Sequence, residues 1–240
     1  MSDTSHGCEA VLFDLDGTLL DHDAASDAAV VATVHAHGPP ASTGPAQIIR
    51  WWRELEASAM DRCLAGAITF QEQRRLRVTG LVERCGAGQW PEERADAWFA
   101  RYLERYEAEW RTYADVLPAL RSLAQRSEPL VLGVVTNGDA EQQRRKLARV
   151  GLAEWFPHVT ASSEVGAAKP DPAVFHAACA AYRLRPAQVV YVGDRLSTDA
   201  EAATAAGLRG VWLDRHGTAP PGEPTVPRIE RLDELPALIP

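Results

Sequence analysis

The stretch VLFDLDGTLL at residues 11–20 puts two carboxylates, Asp14 and Asp16, one residue apart at the end of an apolar run. Side chains at i and i+2 of a strand point to the same side. The pair is therefore expected to face one spot, with Gly17 and Thr18 in the turn that follows. Two like charges about 4 Å apart repel by several kcal/mol at an interior-like dielectric, and a bound cation reverses that sign. A solvated turn is the plainer alternative, because Asp and Gly are favoured turn residues. A calcium-binding EF-hand loop starting at Asp14 would need glycine at 19 and glutamate at 25. The chain has Leu19 and Ala25, which excludes it.

Three further stretches carry polar groups of the same kind. VVTNGD offers Thr136, Asn137 and Gly138 between a strand and a helix. A hydroxyl and backbone N–H groups there can cradle a phosphate, or do no more than cap the helix. GAAKPDP carries Lys169, one of two lysines among the 25 basic residues, placed to neutralise an anion or to stand in water as loop lysines commonly do. The other lysine, Lys146 in EQQRRKLARV, reads as a solvated helix residue. VGDRLSTD gives Asp194 at a strand end and Asp199 in the first turn of the next helix, where a carboxylate also suits the dipole. Four carboxylates converging on one place call for a hard divalent cation with oxygen ligands, Mg²⁺ before others.

The elements that would position these groups are legible as runs. AVLF at 10–13, LVLGVV at 130–135, VVYV at 189–192 and the weaker GVWL at 210–213 are short, apolar and rich in branched residues. Helical patterns at 140–150 and 172–182 separate the later ones. This alternation predicts an α/β core with a Rossmann-like parallel sheet covered on both faces. Ligands in such sheets bind beyond the carboxyl ends of the strands, where the stretches of Asp14, Thr136 and Asp194 lie, and the loop lysine Lys169 is expected to reach into the same crevice. Between the first two strands, residues 22–112 contain no convincing strand and read as helices around 47–64, 70–85 and 91–110. Thr69 with Glu72 three residues on forms a capping-box signature, and Pro91 marks another helix start. An ordinary crossover is far shorter. The expectation is an inserted all-helical domain at 22–112 over the carboxyl edge of a core made of 1–21 and 113–240.

Bulk properties limit the possibilities further. The 240 residues are 46% apolar and 24% charged, with a net charge of −8, which disfavours nonspecific nucleic-acid binding. No run approaches the roughly 18–20 apolar residues of a membrane span, and MSDTSHGCEA lacks the features of a signal peptide. A cytoplasmic location is expected, with no nucleic-acid or membrane partner. The four cysteines, without C-x-x-C spacing, are expected to be free thiols.

The order D-x-D-G-T, T-N, K-P, G-D-x-x-x-x-D resembles the haloacid dehalogenase (HAD) superfamily over nearly the whole chain. The helical insert is similar to the C1-type cap of its subfamily I. FDLDGTLL, ASSEVGAAKPDPAVF and VWLDRHG look most like the branch of N-acylneuraminate-9-phosphatase and pyrimidine 5′-nucleotidase. The resemblance implies a Mg²⁺-dependent phosphatase of a small phosphorylated metabolite, monomeric or homodimeric. Asp14 would be the nucleophile that forms an aspartyl-phosphate. Asp16 would protonate the leaving oxygen and then activate water. Mg²⁺ would be held by Asp14, the Asp16 carbonyl and Asp194, with Asp199 in support, and Thr136, Asn137 and Lys169 would stabilise the phosphoryl charge.

The resemblance also implies rivals. Dehalogenases of the superfamily lack an aspartate two residues after the nucleophile, because halide leaves without a proton, and Asp16 is present here. A phosphomutase would return the phosphoryl group to a sugar, and a silent binding protein on the same fold would be expected to have lost a motif residue. In the insert, Arg62, Gln71, Arg74 and Arg75 are candidates for contacting the leaving group, although long helical side chains are commonly just solvated. Trp51, Trp52, Trp90, Trp98 and Trp110 are expected to pack its small core, and His35 and His37 to end a helix.

Overall fold

A computed structural model describes residues 7–37, 43–217 and 225–239. In chain order these form strand β1 (Ala10–Phe13), helices α1 (His22–His37), α2 (Pro45–Leu64), α3 (Phe70–Arg84), α4 (Glu92–Ala108) and α5 (Val116–Ala124), and then β2 (Val131–Thr136). Helix α6 (Ala140–Arg149), β3 (Val159–Ala161), α7 (Ser162–Val165), α8 (Pro172–Ala181) and β4 (Val189–Gly193) follow. A π-type turn at Leu196–Glu201 runs on as α9 (Ala202–Ala205), before β5 (Arg209–Leu213) and β6 (Arg228–Ile229).

The six strands form one parallel sheet in the order β3-β2-β1-β4-β5-β6. The four expected strands are present to within a residue. β3 and β6, of three and two residues, had no apolar run to mark them. Every residue of β1 is fully buried, as befits a central strand covered on both faces. Ala10 and Leu12 join Val135, Tyr191 and the apolar residues of α8 and α9 in one cluster. The intervening Phe13 meets Phe156 edge-on, with ring centroids 5.9 Å apart. From the adjacent pair β1 and β4 the chain winds outward in opposite directions. That makes their carboxyl ends a topological switch point, where α/β sheets bind ligands.

The chain divides into two compact units, Met1–Asp21 with Arg111–Pro240, and His22–Trp110. The second unit is helical, α1 to α4. The expected capping box opens α3: the Thr69 side chain accepts from the Glu72 N–H, and the Glu72 carboxylate accepts from the Thr69 N–H. Its core is aromatic. Trp52 is fully buried, with the Tyr102 ring 4.7 Å and the Trp98 ring 5.7 Å away between centroids. The buried Arg77 lies 4.3 Å over the Trp52 ring and 2.9 Å from Glu56. Among the described residues, no helix is long and apolar enough to cross a membrane. All four cysteines are free thiols.

Candidate active site

Asp14 is the first residue beyond β1, and its N–H donates to the Val192 carbonyl of β4 at 2.8 Å. Asp194 is the first residue beyond β4, and its carbonyl accepts from Trp212 Nε1 at 2.9 Å. Neighbouring parallel strands thus present two carboxylates side by side at the switch point. Gly17, with φ +90°, turns the chain against the Asp194 carboxylate, and Thr18 behind it is fully buried.

Lys169 lies between these groups. Its Nζ donates to Asp14 Oδ1 at 2.5 Å, to Asp199 Oδ1 at 2.7 Å and to the Tyr191 hydroxyl at 2.9 Å. An ammonium has three hydrogens, and these partners account for them. The anions that Lys169 meets in the protein itself are therefore Asp14 and Asp199. Asp199 is buried within the π-type turn, where its Oδ2 also accepts from the Arg195 N–H at 3.0 Å. Tyr191, from the middle of β4, lies 3.2 Å from the Val135 carbonyl and 3.1 Å from Asp199 Oδ1.

Burial and crowding shift these groups in the expected directions. Burial pushes Asp14 above the usual carboxylate range, against the pull of Lys169, and Asp199 adds to the rise. Asp194 is pushed up to about 8 by burial and by the charges of Asp14 and Asp199. Burial works against the Lys169 ammonium, but the two carboxylates outweigh it and hold its pKa above the ordinary lysine value.

At the end of β2, the Asn137 side chain grips the backbone of Lys169 from both sides. Its Nδ2 donates to the Lys169 carbonyl at 3.0 Å, and its Oδ1 accepts from the Lys169 N–H at 2.8 Å. Thr136 is buried, with its hydroxyl 2.6 Å from Gln143 Nε2. The Gly138 N–H donates to Ser162 Oγ at 2.9 Å, so that group supports the loop.

One expectation is overturned. Lys146 is not a solvated helix residue: it is buried, and its Nζ lies 2.7 and 2.6 Å from the two oxygens of Asp16. The reason is helix packing. Ala140, Gln143, Lys146 and Leu147 form the buried stripe of α6, so Lys146 points inward with its neighbours. Asp14 and Asp16 are consequently held by different lysines. Asp16 lies beyond the last residue of β1, where strand alternation no longer dictates side-chain direction.

Asp14, Asp194 and Asp199 bring carboxylate oxygens within 4.8 Å of one another. These three carboxylates stand against the single ammonium of Lys169, while Asp16 pairs separately with Lys146. Fully ionised, the cluster lacks two positive charges, the charge of one divalent cation. An oxygen-only donor set suits a hard ion of that kind. The residues present therefore fit Mg²⁺.

Sequence reasoning missed Tyr191, Gln143 and the pair Arg215–Asp115. Arg215 donates to Asp115 Oδ2 at 2.9 Å and to the Thr18 carbonyl at 2.8 Å, tying the turn after Asp16 to its own unit. Only the scarcity of lysine pointed towards Lys146. In the helical unit, Arg75 is engaged by Asp96 and Glu92, and Gln71 by Asp96. Arg74 lies over the rings of Phe70 and Phe99. His35 and His37 fall in the last turn of α1, where His37 pairs with Arg101. Of the five tryptophans, Trp51 alone is only partly buried.

A phosphoserine phosphatase of Thermus thermophilus is 35% identical over 68% of this chain and 62% of its own length. A human N-acylneuraminate-9-phosphatase is 32% identical over 53% of this chain and 52% of its own. The chain thus spans between about half and three fifths of these curated relatives. A magnesium-bound HAD-hydrolase from Bacillus subtilis, YfnB, shares the fold with a TM-score of 0.83 at 21% identity, over 97% of this chain and 99% of its own. A 2-haloacid dehalogenase from Pseudomonas syringae also shares it, with a TM-score of 0.66 at 27% identity, over 96% and 97%. The family model for haloacid dehalogenase-like hydrolases matches residues 8–207, and the chain belongs to that family.

Proposed function

We propose that the protein is a Mg²⁺-dependent phosphatase that hydrolyses a small phosphorylated metabolite through an aspartyl-phosphate on Asp14. The observation that carries this reading is the setting of Asp14. It lies at the switch point, one oxygen held by Lys169, within a carboxylate cluster two positive charges short of balance.

In this reading Asp14 attacks phosphorus with the carboxylate oxygen that Lys169 does not hold. The P–O bond to the leaving group breaks, and Asp16 supplies the proton that turns the departing oxygen into an alcohol. Water then attacks the phosphoryl group, Asp16 takes its proton, and phosphate departs as Asp14 is regenerated. Thr136 and the Asn137 N–H stabilise the phosphoryl oxygens, while the Asn137 side chain keeps Lys169 beside Asp14. Asp14, the Asp16 carbonyl and Asp194 would hold the cation, with Asp199 in support. When bound, the dication would supply positive charge for the transferring group and relieve the repulsion among the carboxylates.

A proton donor at Asp16 favours an alkoxide leaving group over halide, which supports phosphatase over dehalogenase chemistry. The helical insert, similar in sequence to a C1-type cap, is proposed to contribute to the choice of substrate. The phosphatase names of the curated relatives support a small metabolite as substrate, and free thiols suit a cytoplasmic enzyme. A monomer or homodimer is proposed.

The test is phosphate release from p-nitrophenyl phosphate with Mg²⁺, then from sugar phosphates, nucleotides and acylneuraminate 9-phosphate. Turnover abolished in Asp14→Asn is expected. No turnover of any ester with Mg²⁺ present would sink the reading, and an isomer formed without free phosphate would mark a mutase.

A further inference from the structure

The pair Lys146–Asp16 has a form that simple stabilisation does not call for. The Lys146 side chain is 4% exposed, whereas that of Asp16 is 26% exposed. Lysine is rarely buried to this degree, because desolvating an ammonium is expensive even beside a partner. An apolar residue between Gln143 and Leu147 on the buried stripe of α6 would avoid that penalty. The cation instead reaches both oxygens of Asp16, at 2.7 and 2.6 Å.

Gln143 adds a third contact, Nε2 to Asp16 Oδ2 at 3.3 Å, while the same amide nitrogen lies 2.6 Å from the Thr136 hydroxyl. Gln143 and Lys146 are three residues apart and so share a helix face. Helix α6 is itself anchored where β2 ends, because Asp139 caps it by accepting from the Gln142 N–H at 2.9 Å. The Asp16 carboxyl is therefore gripped along its inner edge by the helix that also holds Thr136, and its outer side stays accessible.

We propose that Lys146, assisted by Gln143, is the positioning residue for Asp16, fixing the carboxyl that exchanges protons with the leaving group and with water. The inference rests on the phosphatase reading above. Proton transfer requires a heavy-atom separation of roughly 2.6–3.2 Å. A carboxyl beyond the end of a strand, free to rotate, would hold that distance only part of the time. Two contacts from one ammonium and one from an amide restrict it to a single orientation.

The proposal predicts where the loss falls when the grip is removed. In the first step Asp14 bonds to phosphorus, the ester P–O bond breaks, and the Asp16 proton goes to the departing oxygen. p-Nitrophenolate can leave without that proton, whereas phenolate and alkoxides depend on it increasingly. In the second step water bonds to phosphorus, the bond to Asp14 breaks, and a water proton goes to Asp16. This step is the same for every substrate.

The test compares native protein, Lys146→Met and Lys146→Gln in rapid mixing with Mg²⁺ and p-nitrophenyl or phenyl phosphate. Lys146→Met is expected to lose at least about 10-fold more on phenyl phosphate than on p-nitrophenyl phosphate in the first step, within the about 10²–10⁴ that general acid catalysis contributes. It should also release a burst of p-nitrophenolate, up to one equivalent per site, before slow steady turnover. Lys146→Gln, which keeps a donor amide, should show the same pattern with a smaller loss, and it serves if the methionine variant does not fold. Equal loss on both esters without a burst would mark Lys146 as merely structural and overturn the proposal. So would unchanged kinetics in both variants while the native protein turns over. No turnover by the native protein would overturn the phosphatase reading itself and this inference with it.

Discussion

Gly17 lies so close to Asp194 that a Cβ on the glycine would sit 2.4 Å from Asp194 Oδ2. Its φ of +90° also lies in the region that side chains other than glycine rarely adopt. Gly17→Ala should therefore strain the turn by about 1–3 kcal/mol and push the Asp194 carboxylate away from Asp14. Two readouts check this. The melting temperature should fall, and the further stabilisation by Mg²⁺ should shrink or vanish. A variant with native response to Mg²⁺ would show that the approach of Asp194 to the turn has no part in holding the cation.

Removing the Lys169 ammonium leaves Asp14 and Asp199 buried without their counter-ion. Breaking one side of a buried ion pair is destabilising by about 3–5 kcal/mol. Lys169→Met should lose that order of stability in urea unfolding at neutral pH, and should recover part of it in acid, where the two carboxylates are neutralised. Equal stability of variant and native protein at pH 7 would contradict the pairing.

Metal dependence should itself depend on pH. In the metal-free protein the Asp194 carboxyl has a pKa of about 8 against an ordinary 3.8. The folded state then holds a proton that the unfolded chain has lost, so this group's contribution to stability is present at low pH and lost as pH rises through that window. A cation in the carboxylate cluster removes the penalty of ionisation. The gain in melting temperature on adding Mg²⁺ to chelator-treated protein should be larger at pH 8 than at pH 6. The underlying change is at most about 1.4 kcal/mol per pH unit for one proton. An identical gain at both values would argue that the cation does not displace this proton.

In the helical unit, the Thr69 side chain satisfies the Glu72 N–H at the start of α3. Thr69→Ala should reduce stability by about 1 kcal/mol. The check is chemical unfolding alongside substrate screening. Arg75→Ala should leave substrate preference unaltered, because its guanidinium is already occupied by Asp96 and Glu92. A changed preference would return Arg75 to the candidates for leaving-group recognition.

Much of the molecule was legible in one dimension because its signals are local. The four longer strands are apolar runs, and the capping box of α3 is a three-residue signature. Asp14, Asp194 and Asn137 lie where strands end, so knowing that the sheet is parallel was enough to bring them towards one edge, whereas Lys169, in the loop before α8, is held there by the Asn137 side chain. β3 and β6 escaped notice because two or three residues carry no period. β3 is a strand through its ladder with β2, in which Thr160 pairs with Val135.

The two lysines show where local reading stops. The sequence by itself determined that four carboxylates and a Lys-Pro loop meet at the carboxyl edge of a parallel sheet, since residue type and strand order suffice for that. Only the tertiary structure decided that Lys146 turns inward to Asp16, and that Tyr191 reaches Lys169 from the middle of its strand. The buried face of α6 carries Gln143 and Lys146 beside Ala140 and Leu147, so residue type alone does not mark Lys146 as inward-facing. Which face packs is settled by the sheet beneath it, through contacts between residues more than a hundred positions apart in the chain.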